Sequence, residues 1–274
     1  MNICHTFSKV QKTTRYDMRV MALAALMLVT GQLEAADNSA PSIGEYIALL
    51  RNSQETYGGT IDFAIKKVIE QADKANPTVQ TNLGIALVKI KYYRGALDVL
   101  AQATKLDPNN VSAYAHLGYA NYWIEDCRKA LPALDKAIEL DSRNPDAWAW
   151  HEYSGHCYTH LKDYATAEVH CASSASLRPS DPRGRICLGK AQFNLKKYEV
   201  ATDSFLKAYN MTTDTLYKGE SRSGVLASLI RQNKLDSAPS LLGLPLSSLS
   251  MGLEINKLAE SAAVSLERGE RWQY

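Results

Sequence analysis

The chain has little net charge and few turn-forming residues, and each shortage argues against a class of protein. Its 31 lysines and arginines nearly balance 29 aspartates and glutamates, leaving a net charge of +2 at pH 7. This balance provides no general attraction for nucleic acid or an anionic membrane, so we expect neither as a partner. Only 15 glycines and 9 prolines occur in 274 residues. Because the chain is also rich in alanine, leucine and lysine, we expect helices rather than strands.

Motifs of catalysis are also lacking. The sequence contains no glycine-rich phosphate loop and no Gly-x-Ser-x-Gly turn. His151 and His156 flank a glutamate, but they are five residues apart. That spacing turns them about 140° around a helix, whereas a zinc-protease motif needs a spacing of four. We therefore expect no enzymatic activity and no cofactor.

Residues 1–36 are typical of a secretory signal. Four basic residues precede ten apolar residues from Val20 to Val29, and small residues follow through Ala35 and Ala36. Ten residues span about 15 Å as a helix, half of a bilayer core, so we expect cleavage rather than stable membrane insertion. The prediction is an exported protein, periplasmic or secreted. Translation from Met18 instead of Met1, and a cytosolic amino-terminal helix, remain alternatives.

Three columns of small residues repeat along the chain at intervals of 34, 37 and 34 residues, and a fixed period of this length indicates a repeat protein. The columns are Gly84, Gly118, Gly155 and Gly189; Ala96, Ala130, Ala167 and Ala201; and Ala103, Ala137, Ser174 and Ala208. Small residues at these positions would let two antiparallel helices approach closely within each unit. One helical hairpin cannot bury its own apolar face, so neighbouring hairpins must stack.

The sequence of Leu-Gly, Tyr, Ala, Ala and Asp-Pro within a 34-residue unit resembles the tetratricopeptide repeat (TPR) family. The resemblance covers residues 77–215 as four units: 77–110, 111–144, 145–181 and 182–215. It implies an all-α fold, a right-handed solenoid of stacked antiparallel hairpins. The third unit has three extra residues between Pro145 and Gly155, which we expect to lengthen its first helix.

The flanking segments are interpreted as partial repeats. Apolar residues at helical spacing predict an amino-terminal helical packing segment within residues 37–76. Residues 216–274 predict a degenerate fifth hairpin, Leu216–Gln232 with Lys234–Leu242, followed by a capping helix over Met251–Glu267.

The family resemblance implies a binding groove lined by the first helix of each hairpin, with a protein or extended peptide as partner. The predicted groove residues are Tyr119, Tyr122, Trp123, Glu152, His156, His160, Arg183, Lys190 and Asn194. This polar and aromatic set favours a peptide of mixed apolar and acidic character. Tyr122 and Trp123 have an alternative role, packing between helices. The family's carboxylate clamp is not expected, because His116 stands where it needs asparagine.

A metal site is the rival hypothesis. Glu152, His156 and His160 follow one another at i,i+4 spacing along one stripe of the predicted helix. These three are weak candidates for metal ligands, since no ligand from a second helix can be assigned. A metal-binding or metal-responsive TPR-like protein is therefore the alternative to an exported adaptor.

Four cysteines follow the predicted signal, an even number suited to an oxidising compartment. In an antiparallel stack, Cys171 in the second helix of unit three would lie nearly level with Cys187 in the first helix of unit four. This pair is the best predicted disulfide. Cys157 with Cys171 is an alternative, and Cys127 with Cys157 is expected to be about one turn out of level.

Overall fold

A computed structural model of the chain describes residues 41–48, 65–66, 68–70, 72–243 and 249–268, with side chains in the last range from residue 255 onward. The predicted signal, residues 1–36, lies outside these ranges. Within the predicted packing segment, residues 43–48, 65–66 and 68–70 are helical. Contacts divide the chain into two compact units, residues 1–108 and 109–274.

Four helical hairpins occupy the region of the predicted repeats. Their helices are α1 (Pro77–Lys89) with α2 (Tyr93–Leu106), α3 (Val111–Trp123) with α4 (Cys127–Leu140), α5 (Ala147–His160) with α6 (Tyr164–Leu177), and α7 (Pro182–Asn194) with α8 (Tyr198–Met211). Within the compact unit of residues 109–274, the first helices α3, α5 and α7 contact one another in succession, and α7 also contacts the helix that follows the fourth hairpin, Thr215–Arg231. No strand occurs in the described ranges. The predicted all-α repeat fold is confirmed.

Local sequence signals begin and end these helices. Asn76 caps α1, because its side-chain oxygen accepts hydrogen bonds from the backbone N–H groups of Thr78 and Val79 at 2.9 and 3.2 Å. Every hairpin turn contains a non-glycine residue in the left-handed region, with φ between 60° and 66°. These residues are Lys91, Glu125, Lys162 and Lys196. The left-handed residue stops the helix, so the chain reverses within a short turn.

The glycine column permits close contact between the two helices of each hairpin. A Cβ atom on Gly118 would lie 2.6 Å from the Leu134 side chain, and one on Gly189 would lie 2.8 Å from the Phe205 ring. In the third hairpin, a Cβ on Gly155 would meet the sulfur atoms of Cys171 and Cys187 instead. The same glycine position therefore faces an apolar side chain in one repeat and a disulfide in another.

The three extra residues of the third unit do not simply lengthen its first helix, as was expected. Helix α5 has 14 residues, against 13 in α3 and α7, so one residue enters the helix. The other two enlarge the preceding turn, 141–146. Asn144 stabilises that turn by donating to the Asp141 carboxylate at 3.0 Å and accepting from the Asp146 backbone N–H at 3.0 Å. Proline is disfavoured in a helix interior because it has no backbone N–H to donate, so Pro145 favours extension of the turn, although α4 does contain Pro132.

Two disulfides link successive hairpins. Cys171 of α6 pairs with Cys187 of α7, with Cα atoms 5.3 Å apart. Cys127 of α4 pairs with Cys157 of α5 at a Cα separation of 5.1 Å. The expectation that this second pair lies a turn out of level was wrong. Because the turn absorbs most of the insertion, α5 can place Cys157 beside Cys127, and both separations suit a disulfide.

The carboxyl-terminal segment departs from the predicted fifth hairpin. Helix α9 (Thr215–Arg231) is followed by a 3-10 turn, Leu235–Ser237, and by only a short helix α10 (Ala238–Leu242). Helix α9 packs against α8 of the fourth hairpin and against the longer helix α11 (Leu249–Arg268), which buries Ala259, Ala263 and Leu266 in the core. Gly243 has φ of 63° and ends α10, so the chain needs a later helix to cover the apolar face of α9.

Candidate functional site

The first helices of successive hairpins, α3, α5 and α7, carry all nine predicted groove residues. We call the surface formed by these residues the first-helix face. Its side chains fall into two regions: aromatic rings where α3 meets α5, and charged groups where α5, α7 and α9 meet.

Four rings form an aromatic cluster, defined as Tyr119, Tyr122, Trp123 and Tyr153. The centroid of the Tyr153 ring lies 5.0 Å from that of Tyr119 and 4.8 Å from that of Tyr122. Trp123 stands 5.9 Å from Tyr119 and 5.7 Å from Tyr122, and 43% of its surface is exposed. Tyr122 is buried, in keeping with packing between helices, whereas Trp123 offers its ring to solvent. The two rings therefore differ in role.

Tyr153 is not among the predicted groove residues. It directly follows Glu152 in α5 and turns toward the tyrosines of α3. Burial raises the pKa of the Tyr153 hydroxyl well above its ordinary range, and the Glu152 charge adds to this effect, with Arg183 opposing it. Tyr153 thus remains a neutral, largely apolar contact. Its place beside a predicted groove residue was the available signal.

Glu152 is a buried carboxylate on the first-helix face. Its Oε1 lies 3.7 Å from His156 Nε2, and its Oε2 lies 3.8 Å from Arg183 Nη1. Both distances allow electrostatic attraction but exceed a hydrogen bond. Oε2 is shielded from solvent and has no hydrogen-bond partner. A buried carboxylate oxygen without a donor is costly, so it points to an unfilled interaction.

Arg183 directs its hydrogen bonds to Asp181 rather than Glu152. Its Nε and Nη2 donate to the two Asp181 carboxylate oxygens at 3.0 and 2.9 Å. Burial favours a higher pKa for the Asp181 carboxyl, but the Arg183 hydrogen bonds and charge outweigh it, and the pKa is lowered. The Arg183 guanidinium also lies 4.3 Å from the centre of the Trp148 ring, and that of Arg178 lies 4.5 Å from it. Arg183 is therefore held on several sides.

The remaining predicted groove residues have separate surroundings. Lys190 forms an ion pair with Glu220 of α9, and both side chains are largely buried. Glu220 was missed because it lies in the degenerate segment, where no repeat position could be assigned. The Asn194 amide donates to the Lys190 carbonyl of its own helix at 2.9 Å. His160 is exposed at the end of α5.

The structure does not support the metal hypothesis. Across the described ranges, no group of three histidine, cysteine, aspartate or glutamate side chains is arranged to hold a metal ion. Glu152 approaches His156, but the predicted third ligand, His160, does not complete a site with them.

Two further histidines, outside the predicted groove, form a pair within the third hairpin. His151 Nδ1 and His170 Nδ1 are 3.1 Å apart, so one imidazole donates to the other. Burial lowers the pKa of His151 to about 4, with a further contribution from the His170 charge. Burial also lowers the pKa of His170, against the opposing effect of Asp135. Both rings are therefore neutral at pH 7, and they join α5 to α6.

No helix in the described part of the chain has the length and apolar character needed to cross a bilayer.

Comparison with known proteins agrees with the repeat pattern. The tetratricopeptide repeat family matches residues 124–182. No curated protein matches the chain. Among solved structures, YrrB is 18% identical with a TM-score of 0.56, covering 73% of this chain and 97% of its own. MamA from Desulfovibrio magneticus RS-1 is 17% identical with a TM-score of 0.55, covering 69% and 97%.

A further structure, MamA AMB-1, is 21% identical with a TM-score of 0.53 and covers 66% of this chain and 98% of its own. At these identities the likeness concerns the fold alone. The family match identifies a tetratricopeptide repeat at residues 124–182, and this likeness shows that the hairpins around it have the tetratricopeptide repeat fold.

Proposed function

We propose that this protein is an exported, non-enzymatic adaptor that binds an extended segment of a partner protein on its first-helix face. The observation that carries the proposal is the exposure of the Trp123 ring. The ring is 43% exposed yet supported at its edges by Tyr119 and Tyr122. Exposed aromatic side chains held in place by neighbours are typical anchors of protein interfaces.

The fold likeness adds support of a general kind. YrrB is described as a TPR protein with an unusual peptide-binding site. A fold by itself does not imply a function, so the weight of the proposal rests on the side chains of the first-helix face.

The two disulfides support export. Cys127–Cys157 and Cys171–Cys187 include every cysteine that follows the signal-like segment. Structural disulfides persist mainly in oxidising compartments such as the periplasm or the extracellular space. Mass spectrometry of the protein from its own cell should find a chain that begins near Ala36 or Asp37. An intact amino terminus in the cytosol would contradict export.

Partner binding is tested with Trp123→Ala. The mature chain serves as bait for partners from the native envelope, and the affinity of each captured partner is then measured with purified components. Loss of an aromatic anchor should weaken binding by about thirtyfold, corresponding to ~2 kcal/mol, with the helical circular-dichroism signal retained.

The matched control is Val169→Ala. Val169 is a 65% exposed apolar residue on α6, the second helix of its hairpin, and its truncation should leave affinity unchanged. Equal affinities for wild type and Trp123→Ala would place the binding surface elsewhere.

A further inference from the structure

The chemistry of the partner follows from one unsatisfied group. Glu152 is only 5% exposed, and its Oε2 accepts no hydrogen bond. It lies on α5, beside the aromatic cluster. The ring centroids of Tyr122 and His156 are 6.3 Å apart, and His156 Nε2 lies 3.7 Å from Glu152 Oε1. The first-helix face therefore runs without interruption from the exposed Trp123 to a buried carboxylate.

The nearby cations direct their closest contacts to other carboxylates, although Arg183 Nη1 also lies 3.8 Å from Glu152 Oε2. Arg183 makes two hydrogen bonds to Asp181, and Arg178 Nε lies 3.8 Å from the same group. Lys190 is paired with Glu220. Neither arginine donates a hydrogen bond to Glu152. An acidic ligand would have to draw a cation away from its present partner, whereas a basic ligand meets an acceptor that lacks a donor.

We propose that the aromatic cluster and Glu152 bind a basic side chain, arginine above all, of an extended partner peptide. This inference rests on the proposed peptide-binding function and specifies the chemistry of its ligand. It replaces the mixed apolar and acidic peptide expected from sequence, because Arg183 is hydrogen-bonded to Asp181 and Lys190 is paired with Glu220.

The arrangement suits arginine on two counts. A guanidinium stacks on aromatic faces, and its fork of N–H groups matches a carboxylate. Glu152 Oε2 is covered, so the ligand reaches the carboxylate where His156 now lies. The His156 side chain is 24% exposed, and a rotation of its ring would open that path. The peptide arginine then provides the hydrogen bonds that Glu152 lacks.

The experiment compares peptides that differ in one charge. Blocked nine-residue peptide pools have randomised flanks and a central arginine, citrulline or glutamate, and their binding to the mature, oxidised protein is measured by fluorescence anisotropy. Citrulline keeps the shape of arginine without its charge. We expect the arginine pool to bind about tenfold more tightly than the citrulline pool, and the glutamate pool most weakly.

Two variants assign this preference to Glu152. Glu152→Gln keeps the shape of the side chain and should bring the arginine-to-citrulline ratio to about 1. Glu139→Gln removes a charge from an exposed glutamate on α4, which pairs with Lys136 at 2.9 Å, and should leave the ratio unchanged. If Glu152→Gln fails to fold, the preference of the wild type among the three pools still decides.

The outcomes separate the ligand chemistry from peptide binding itself. If all pools bind equally and Trp123→Ala weakens them all, the face binds peptides and the role of Glu152 is refuted. Tightest binding of the glutamate pool also refutes it. If no pool binds at millimolar concentration while partner capture is indifferent to Trp123→Ala, both the ligand chemistry and the proposed function fail.

Discussion

The third and fourth hairpins follow the same backbone plan but have different interiors. In the fourth, Gly189 packs against Phe205, a fully buried ring that Gly224 of α9 also approaches closely. In the third, Gly155 packs against the Cys171–Cys187 disulfide. One interior relies on apolar volume and the other on a covalent link between neighbouring hairpins. A repeat position thus sets how closely helices approach, while the stabilising group can change from repeat to repeat.

Loss of Phe205 should produce the largest effect. Phe205→Ala leaves a cavity between Gly189 and Gly224, and we expect the free energy of unfolding to fall by about 3–5 kcal/mol. Urea denaturation followed by circular dichroism measures the change. Val200→Ala on the same helix, at a 49% exposed residue, should change stability by less than about 0.5 kcal/mol. A loss for Phe205→Ala no larger than for Val200→Ala would show that the fourth interior does not depend on the ring.

Removing a disulfide should have the next largest effect, confined to oxidising conditions. Cys171→Ala with Cys187→Ala should cost about 3 kcal/mol, and Cys127→Ala with Cys157→Ala slightly more, because that bridge spans 30 residues rather than 16. Urea denaturation with and without dithiothreitol is the measurement. The penalty of Phe205→Ala should persist in reductant, whereas the penalties of the cysteine variants should vanish. Equal penalties in both conditions would contradict a covalent role.

The buried histidine pair makes the stability of the third hairpin depend on pH. The folded-state pKa of His151, about 4, lies below its unfolded value. The unfolded chain therefore takes up protons more readily, so stability is fully present above about pH 6.5 and declines as pH falls toward 4. Burial raises the pKa of the facing Asp135 carboxyl, which opposes this decline at the acidic end. Tyr158, also in ring contact with His170, stays protonated throughout this range.

This smallest effect is measured as the difference in unfolding free energy between pH 7 and pH 5. His170→Asn should reduce that difference, because it removes one titrating ring and leaves His151 without its neighbour. His160→Asn, at an exposed histidine, should leave the difference as in the wild type. Identical pH dependence in all three proteins would exclude the buried pair as its source.

Helix positions could be predicted because they depend on local pattern. The small-residue columns and turn residues specify where each hairpin begins and reverses. The carboxyl-terminal segment was harder: Lys234–Leu242 has a helical pattern, but only Ala238–Leu242 forms an α-helix, after the 3-10 segment Leu235–Ser237. Whether a short helix covers α9, or a later one such as α11 does, depends on how much apolar surface each buries. Spacing along the chain does not contain that information.

For the groove residues, too, the sequence predicted the helix on which each lies but not its contacts. Their presence on α3, α5 and α7 follows from repeat position, but the partners of Arg183 and Lys190 could not be inferred. Asp181 lies in the preceding turn, and Glu220 belongs to a different helix pair. An ion pair forms according to distance and burial after the helices have packed, so the charge available to a ligand is a property of the packed face.

The sequence by itself determined the repeat architecture, because a periodic arrangement of small and apolar residues has one economical solution: hairpins that approach at the small residues and stack to bury the rest. Tertiary structure alone decided that Cys127 pairs with Cys157, that Trp123 is exposed while Tyr122 is buried, and that Glu152 lacks a donor. These outcomes depend on displacements of a few ångströms between helices. The 141–146 turn, which absorbs most of the insertion, sets such a displacement without altering the repeat pattern.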